Sequence, residues 1–220
     1  MIKLVVFDWN GVLIADASAA ASAVSRILES FGKGAISTSE YRELFSIPAK
    51  EIYLKKGMTE KEVANNANRI QEMFHKDYEP MASGVRTRRG ARKLLEFLSK
   101  RKIECIILSG NTVEGVHNQL ERLGLEKYFS NVFANDMYEA IKKRNKLEKL
   151  NQFLAQQTFK KSEVLIIGDS TEETQAGKHL GIHTVAITGG FVSAVRLKAI
   201  NPDFLISNLN QLIGIIEKLR

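Results

Sequence analysis

Three side chains with chemistry to offer stand where apolar runs stop. Asp8 follows Leu4 to Phe7, Ser109 follows Ile103 to Leu108, and Asp169 follows Val164 to Ile167 and a glycine. Short runs rich in β-branched residues read as strands buried on both faces. In open α/β sheets, ligands bind beyond the carboxyl ends of the strands. Parallel strands put those ends on one edge, so Asp8, Ser109 and Asp169 can converge there. Two neighbouring carboxylates repel each other and favour a hard cation between them; with oxygen ligands, Mg²⁺ is the natural choice. A carboxylate beside such a cation can also act as a nucleophile toward phosphorus. Ser109, a lysine and the backbone N–H groups that follow each strand would hold phosphate oxygens.

The elements that must position these groups can be read from the chain in order. After Ile14 the pattern turns helical, and no convincing strand occurs from about Asp16 to Gly84. Val24, Ile27, Leu28 and Phe31 mark one helix face. Ser37 with Glu40, and Thr59 with Glu62, fit capping boxes. Pro48 suits the first turn of a helix that stops at Gly57. Val63, Ala67, Ile70 and Phe74 recur at helical spacing, and Pro80 is expected to close the block. From Gly84 on, strands and helices alternate: helices over 88–100, 112–123, 147–154, 172–180 and 209–219, and strands over 103–108, 132–134, 164–167, 184–187 and 204–206. Alternation of this kind implies a parallel sheet with right-handed crossovers. The expected fold is therefore α/β, a Rossmann-like parallel-sheet core from residues 1–15 and 85–220 with a small all-helical cap domain inserted at 16–84.

Composition narrows the function classes. The chain has 220 residues, 44% hydrophobic and 26% charged, as a soluble globular protein would. No apolar run approaches the roughly 20 residues needed to span a bilayer. The N-terminal residues lack a signal pattern, so a cytoplasmic location is expected. Cys105 is the only cysteine and lies in an apolar run, as a small buried hydrophobe would. The formal charge of +7 is spread along the chain. Its clusters at Arg86 to Lys93 and Lys142 to Lys149 are not interleaved with aromatics, so a solvated face that attracts small phosphorylated anions is expected rather than a nucleic-acid surface. His75, His117, His179 and His183 have no metal-ligand spacing, and nothing in the pattern marks an oligomer interface.

The motifs together resemble a known family. F-D-W-N-G-V-L at Phe7 to Leu13, I-I-L-S-G-N at Ile106 to Asn111, a lysine ahead of the last motif, and I-I-G-D-S-T-E-E at Ile166 to Glu173 are similar to the haloacid dehalogenase superfamily of phosphatases. The subgroup is the one with a helical cap after the first strand, phosphoglycolate phosphatase-like. The tail H-T-V-A-I-T-G-G-F with N-P-D-F-L-I is similar too, and the resemblance spans almost the whole chain.

The resemblance implies a hydrolase acting on a small phosphorylated metabolite. Asp8 would be the nucleophile and a Mg²⁺ ligand, and Ser109 would bind phosphoryl oxygens beside Gly110 and Asn111. Asn111 could equally cap a helix. Lys146, which lies 23 residues before Asp169, would orient nucleophile and phosphate, with Lys143 as the alternative. Asp169 and Glu173 would complete the metal site, with Glu172 as a solvent-facing neighbour. Trp9 would pack its ring at the cap interface and offer its amide to phosphate.

One position departs from the pattern. The family's phosphatases carry Asp two residues after the nucleophile, to protonate the leaving oxygen and then activate water. Here that position is Asn10, which has no titratable proton. Metal binding through its backbone carbonyl should survive, but turnover should be slow. The open alternatives are a proton supplied by another group, a phosphoryl-ligand binding protein without catalysis, and an amide introduced to trap a complex. A fourth is carbon–phosphorus cleavage, as in phosphonoacetaldehyde hydrolases, which would use Lys50 in the cap as a Schiff-base lysine.

Overall fold

The computed structural model describes residues 1–135 and 146–219. At its centre is a six-stranded sheet in the order β3-β2-β1-β4-β5-β6, with every neighbouring pair parallel. The strands are β1 (Leu4–Phe7), β2 (Glu104–Thr112), β3 (Asn131–Asn135), β4 (Val164–Gly168), β5 (His183–Ile187) and β6 (Phe204–Ile206). The order runs down to β1 and then jumps to β4, so the crossovers lead to opposite sides of the sheet. A crevice opens at such a switch point, beyond the carboxyl ends of β1 and β4.

The apolar runs are strands because they are buried on both faces. Val5 and Phe7 join Cys105, Ile107, Leu165 and Ile167 in one cluster, under helices α6 (Ala91–Lys100), α7 (Val113–Leu123) and α11 (Asn210–Lys218). Leu4 and Val6 point the other way. They meet Ile106, Val164 and Ile166 under Leu150 and Phe153 of α8 (Lys146–Ala155). Helix α9 (Thr171–Leu180) follows β4, and α10 (Ala194–Ala199) follows β5. Among the described residues, no helix is long and apolar enough to cross a membrane.

Between β1 and α6 the chain forms a helical layer: α1 (Ala17–Ser30), α2 (Thr38–Leu44), α3 (Lys50–Lys55), α4 (Glu60–Asn65) and α5 (Ala67–Ala82). Val24, Ile27, Leu28, Tyr41, Ile52, Val63, Ile70 and Tyr78 form its interior. That interior also takes in Ala186, Val192 and Leu197 from the sheet side, so the layer's apolar core is continuous with the region after β5.

Several expected boundaries move, each for a local reason. Strand β2 runs on to Thr112, past Ser109, with its register to β3 shifted between Leu108 and Thr112. Helix α6 begins at Ala91 rather than Arg88, because Gly90 has φ +90° and Arg88 reaches across to the carbonyls of Gly11 and Thr188. The Thr59–Glu62 capping box forms in full, but Glu40 turns to Lys56 at 2.8 Å and leaves the Ser37 cap one-sided. The long helix expected from Thr59 breaks at Asn66, whose side-chain amide donates to the Glu62 carbonyl at 2.8 Å and so competes with the backbone. Pro80 does not close the block. It sits within the last turn of α5, where the helix runs on to Ala82.

Leu94 of α6 is fully buried against the sheet. Leu94→Ala should lower unfolding free energy by about 2–5 kcal/mol, read from the urea midpoint at constant slope. An unchanged midpoint would contradict this packing.

Candidate active site

Asp8 is the first residue after β1, and its backbone N–H still donates to the Ile167 carbonyl of β4 at 3.0 Å. Two strands therefore fix the start of its side chain. Asp8 Oδ1 lies 3.0 Å from Lys146 Nζ and accepts the Trp9 amide at 2.8 Å. Among the described residues, no hydrogen bond reaches Oδ2.

Lys146 is the first described residue of α8 and is 5% exposed. Its ammonium also lies 2.6 Å from Glu173 Oε1 and 3.9 Å from Glu172 Oε2. Glu173 comes from the first turn of α9. That helix is capped by Ser170, whose hydroxyl accepts from the Glu172 amide at 3.1 Å and donates to Glu173 Oε2 at 2.7 Å. Both Glu173 oxygens are thus engaged, one by Lys146 and one by Ser170. Glu172 is not solvent-facing as expected: its side chain is 19% exposed and turns toward Lys146. Lys143, the alternative to Lys146, lies outside the described residues.

Asp169 follows β4 and accepts the Phe191 amide at 2.6 Å. A side chain on Gly11 would place Cβ 1.9 Å from Asp169 Oδ2, and one on Gly190 would place it 2.0 Å away. Only glycine fits there, and at Gly11 the φ of +70° makes the same demand. Carboxylate oxygens of Asp8, Asp169 and Glu173 all lie within 4.8 Å of one another. Among the described residues, these three buried acids face one buried ammonium, Lys146.

The charge balance follows from that count. Burial pushes Asp8 up to about 7, against the pull of Lys146 and with the added push of Glu173. Burial, then the charges of Asp8 and Glu173, hold Asp169 well above the usual carboxylate range. Burial would raise Glu173 too, but Lys146 and the Ser170 hydroxyl hold it below its ordinary value. Burial opposes the charge on Lys146, yet the surrounding carboxylates raise it well above the ordinary lysine value.

The amide at Asn10 is locked. Asn10 Nδ2 donates to Asp16 Oδ2 at 2.7 Å and to the Tyr78 hydroxyl oxygen at 2.9 Å. Tyr78, on α5, donates its own proton to Asp16 Oδ2 at 2.6 Å, and the Gly11 amide donates to Asp16 Oδ1 at 2.7 Å. Asp16 is fully buried, and burial raises it despite these donors. Neither Asp16 nor Tyr78 was among the candidate site residues. An Asp just ahead of a helix reads as a cap, but this side chain makes no cap bond. It points back to the β1 loop, and only the fold reveals that.

Ser109 Oγ donates to Asn10 Oδ1 at 3.5 Å and accepts the Asn111 amide at 3.0 Å. Asn111 Oδ1 accepts the Thr112 amide at 2.8 Å, and Thr112, not Asn111, caps α7. Trp9 departs from expectation. Its ring is fully buried in the cluster under α7, where Nε1 donates to Gln119 Oε1, and its amide is taken by Asp8. Lys50 forms an exposed ion pair with Glu60 at 3.2 Å rather than the desolvated setting that activates a Schiff-base lysine.

From Asp8 and Asp169 a cavity of about 350 Å³ extends into the helical layer. Asn10, Gly110, Asn111, Lys146 and Ser170 line its polar end, and Lys50 and His75 also border it.

Comparison with known proteins fits this geometry. Residues 5–187 match the family model of haloacid dehalogenase-like hydrolases. A phosphoglycolate phosphatase of Synechococcus elongatus is 26% identical over 99% of this chain and 98% of its own length. One from Vibrio parahaemolyticus is 26% identical over 98% and 96%. Among solved structures, a predicted phosphatase from Clostridium acetobutylicum superposes with a TM-score of 0.81 at 16% identity, covering 99% of each chain. A haloacid dehalogenase-like hydrolase from Streptococcus pneumoniae gives 0.80 at 16% identity, covering 98% of each. A six-stranded parallel sheet, with buried carboxylates gathered at the ends of β1 and β4, carries the signature matched along most of the sequence: the chain belongs to the haloacid dehalogenase-like hydrolases.

Proposed function

We propose that the protein is a Mg²⁺-dependent phosphatase that hydrolyses a phosphomonoester through an aspartyl-phosphate on Asp8. The observation that carries this reading is the buried grouping of Asp8, Lys146, Glu173 and Asp169 at the sheet's switch point. Among the described residues, three carboxylates face one ammonium, an excess of negative charge, and the donors on hand are hard oxygens, which suits Mg²⁺. Asp8, Asp169 and the backbone carbonyl of Asn10 would hold it, and when bound it would neutralise phosphoryl charge. Glu173 stays within ligand reach, but its bonds to Lys146 and Ser170 favour a role in holding that ammonium in place.

In this reading Asp8 Oδ2 attacks phosphorus while Lys146 and Ser109 hold phosphoryl oxygens. The bond from phosphorus to the leaving oxygen breaks as the bond to Asp8 forms. Water then attacks phosphorus as the bond from phosphorus to Asp8 breaks, which restores the carboxylate and releases phosphate carrying the water's protons. Asn10 has no proton to give the leaving group, and the loss of such an acid costs about 10²–10⁴-fold.

Steady-state hydrolysis of p-nitrophenyl phosphate with Mg²⁺ tests the reading. Asp8→Asn should abolish turnover, and Lys146→Met should lower kcat by roughly 10²-fold or more. Turnover that survives in Asp8→Asn would contradict the nucleophile. No turnover in the native protein or in any Asn10 variant, despite phosphate binding, would favour a binding protein.

The Asn10 lock makes a sharper prediction. Asn10→Asp alone would set two carboxylates in contact, since Asn10 Nδ2 is 2.7 Å from Asp16 Oδ2, and they would share a proton. The exchange Asn10→Asp with Asp16→Asn keeps the number of carboxylates. It should raise kcat on an alkyl phosphate by about 10²-fold or more, and by more than the single change. An exchange no faster than the native protein would overturn this account of the missing acid.

The metal should show in stability as well. Asp8 is raised to about 7 in the fold, so its contribution is present at low pH and is lost as pH rises toward 7. Mg²⁺ requires the ionised form, so its stabilisation should grow from about pH 5 to about pH 8. Thermal unfolding with Mg²⁺ and with chelator at both pH values checks this; equal shifts at both would contradict it.

A further inference from the structure

The cavity above Asp8 is walled by rings and aliphatic chains: Tyr41, Phe45, Ile70, Phe74, Tyr78 and Phe191. Phe191 meets Phe45 and Tyr41 edge-on, with centroids 5.3 and 5.8 Å apart, and Phe74 stacks on Tyr78 at 5.1 Å. Ordered rings of this kind favour a flat aromatic guest. An enclosed apolar space of roughly 150 Å³ accepts a benzene ring. The 350 Å³ here has room for a phosphoryl group and one or two rings, and a two-carbon acid would leave most of it unfilled.

Among the described residues, the cavity also offers a substrate carboxylate little positive charge that is not already paired. Among the described residues that line it, the groups able to carry positive charge are Lys146, Lys50 and His75. Lys146 is held by Asp8 and Glu173, Lys50 by Glu60 and His75 by Glu79. Arg42 and Arg196, close by in the fold, are spent on backbone carbonyls of Gly189 and Gly190, and of Arg42, Glu43 and Phe45. A carboxylate brought into apolar surroundings without a counter-charge is strongly disfavoured.

Chemistry points the same way. Asn10 sits beside Asp8 and cannot protonate a leaving oxygen. A phenoxide leaves without a proton far more readily than an alkoxide, so a phenolic ester is the one for which this site is least handicapped.

We propose that the substrate is an aryl phosphate, the phosphomonoester of a one- or two-ring phenol, and not a short phosphorylated carboxylic acid. This rests on the phosphatase reading of Asp8. In the first step the aryl-oxygen to phosphorus bond breaks as Asp8 Oδ2 bonds to phosphorus, and the phenoxide leaves with its electron pair. In the second, the oxygen of water bonds to phosphorus as the bond from phosphorus to Asp8 Oδ2 breaks; Asp8 leaves as a carboxylate, and the water's protons depart on the released phosphate.

The test compares kcat/KM for 1-naphthyl phosphate, phenyl phosphate and 2-phosphoglycolate with Mg²⁺, alongside Asp8→Asn. Because aryl esters also react faster intrinsically, inhibition by phenylphosphonate and by phosphonoacetate isolates the pocket's own preference. The aryl phosphates should exceed phosphoglycolate by about 100-fold or more, and phenylphosphonate should inhibit at least about tenfold more tightly than phosphonoacetate. Phe74→Ala should raise KM for 1-naphthyl phosphate by roughly tenfold and leave phosphonoacetate inhibition within about twofold. Asp8-dependent turnover that favours phosphoglycolate, or phosphonoacetate binding as tightly as phenylphosphonate, would overturn the aryl proposal while leaving the phosphatase reading standing. No Asp8-dependent turnover of any of the three would overturn both.

Discussion

The constraint on which the site depends is electrostatic: too many buried carboxylates for the positive charge present. Asp8, Asp169 and Glu173 are drawn within 4.8 Å of one another, and among the described residues Lys146 is the one buried ammonium beside them. Such an arrangement is unfavourable taken alone. The fold sustains it because each acid is tied to a rigid element. Asp8 hangs from β1, Asp169 from β4, and Glu173 from the capped first turn of α9. The glycines follow from the same crowding, since any side chain at Gly11 or Gly190 would occupy the space of the Asp169 carboxylate. Excess negative charge of this kind, gathered beyond the strand ends, suits a bound cation, which is why the grouping reads as machinery rather than scaffold.

The helical layer is coupled to this centre at two points. Tyr78 of α5 joins Asp16 and Asn10, so a residue from the layer touches the loop that follows the nucleophile. Phe191 donates its amide to Asp169 and lends its ring to the wall formed with Tyr41 and Phe45. The surface that would select the leaving group and the residues that would hold the metal are thus parts of one packed unit. A substitution in either should be felt in the other.

Much of this was legible in the residues. Apolar runs four to five residues long fix the strands, because a run buried on both faces of a parallel sheet has no need of alternation. The polar residues at their ends gave Asp8, Ser109 and Asp169. Lys146 was distinguishable from its neighbours only by resemblance, since a lysine on an amphipathic helix carries no mark of burial. What stayed hidden depends on contacts between distant segments. Asp16 looks like a helix cap until Tyr78, 62 residues away, is packed against it. Glu172 looks exposed until α9 is placed beside Lys146. Pro80 looks like a stop, yet the helix carries two residues past it and ends at Ala82. Trp9 looks like an interface ring, yet the turn after β1 drives it beneath α7.

The central claim is that Asp8 becomes covalently phosphorylated during turnover. Intact-mass measurement after rapid acid quench, during hydrolysis of 1-naphthyl phosphate with Mg²⁺, tests it directly. The account predicts a species heavier by one phosphoryl group, mapping to the peptide that contains Asp8 and absent from Asp8→Asn. Continued turnover with no such species at any quench time, or an adduct that persists in Asp8→Asn, would contradict it.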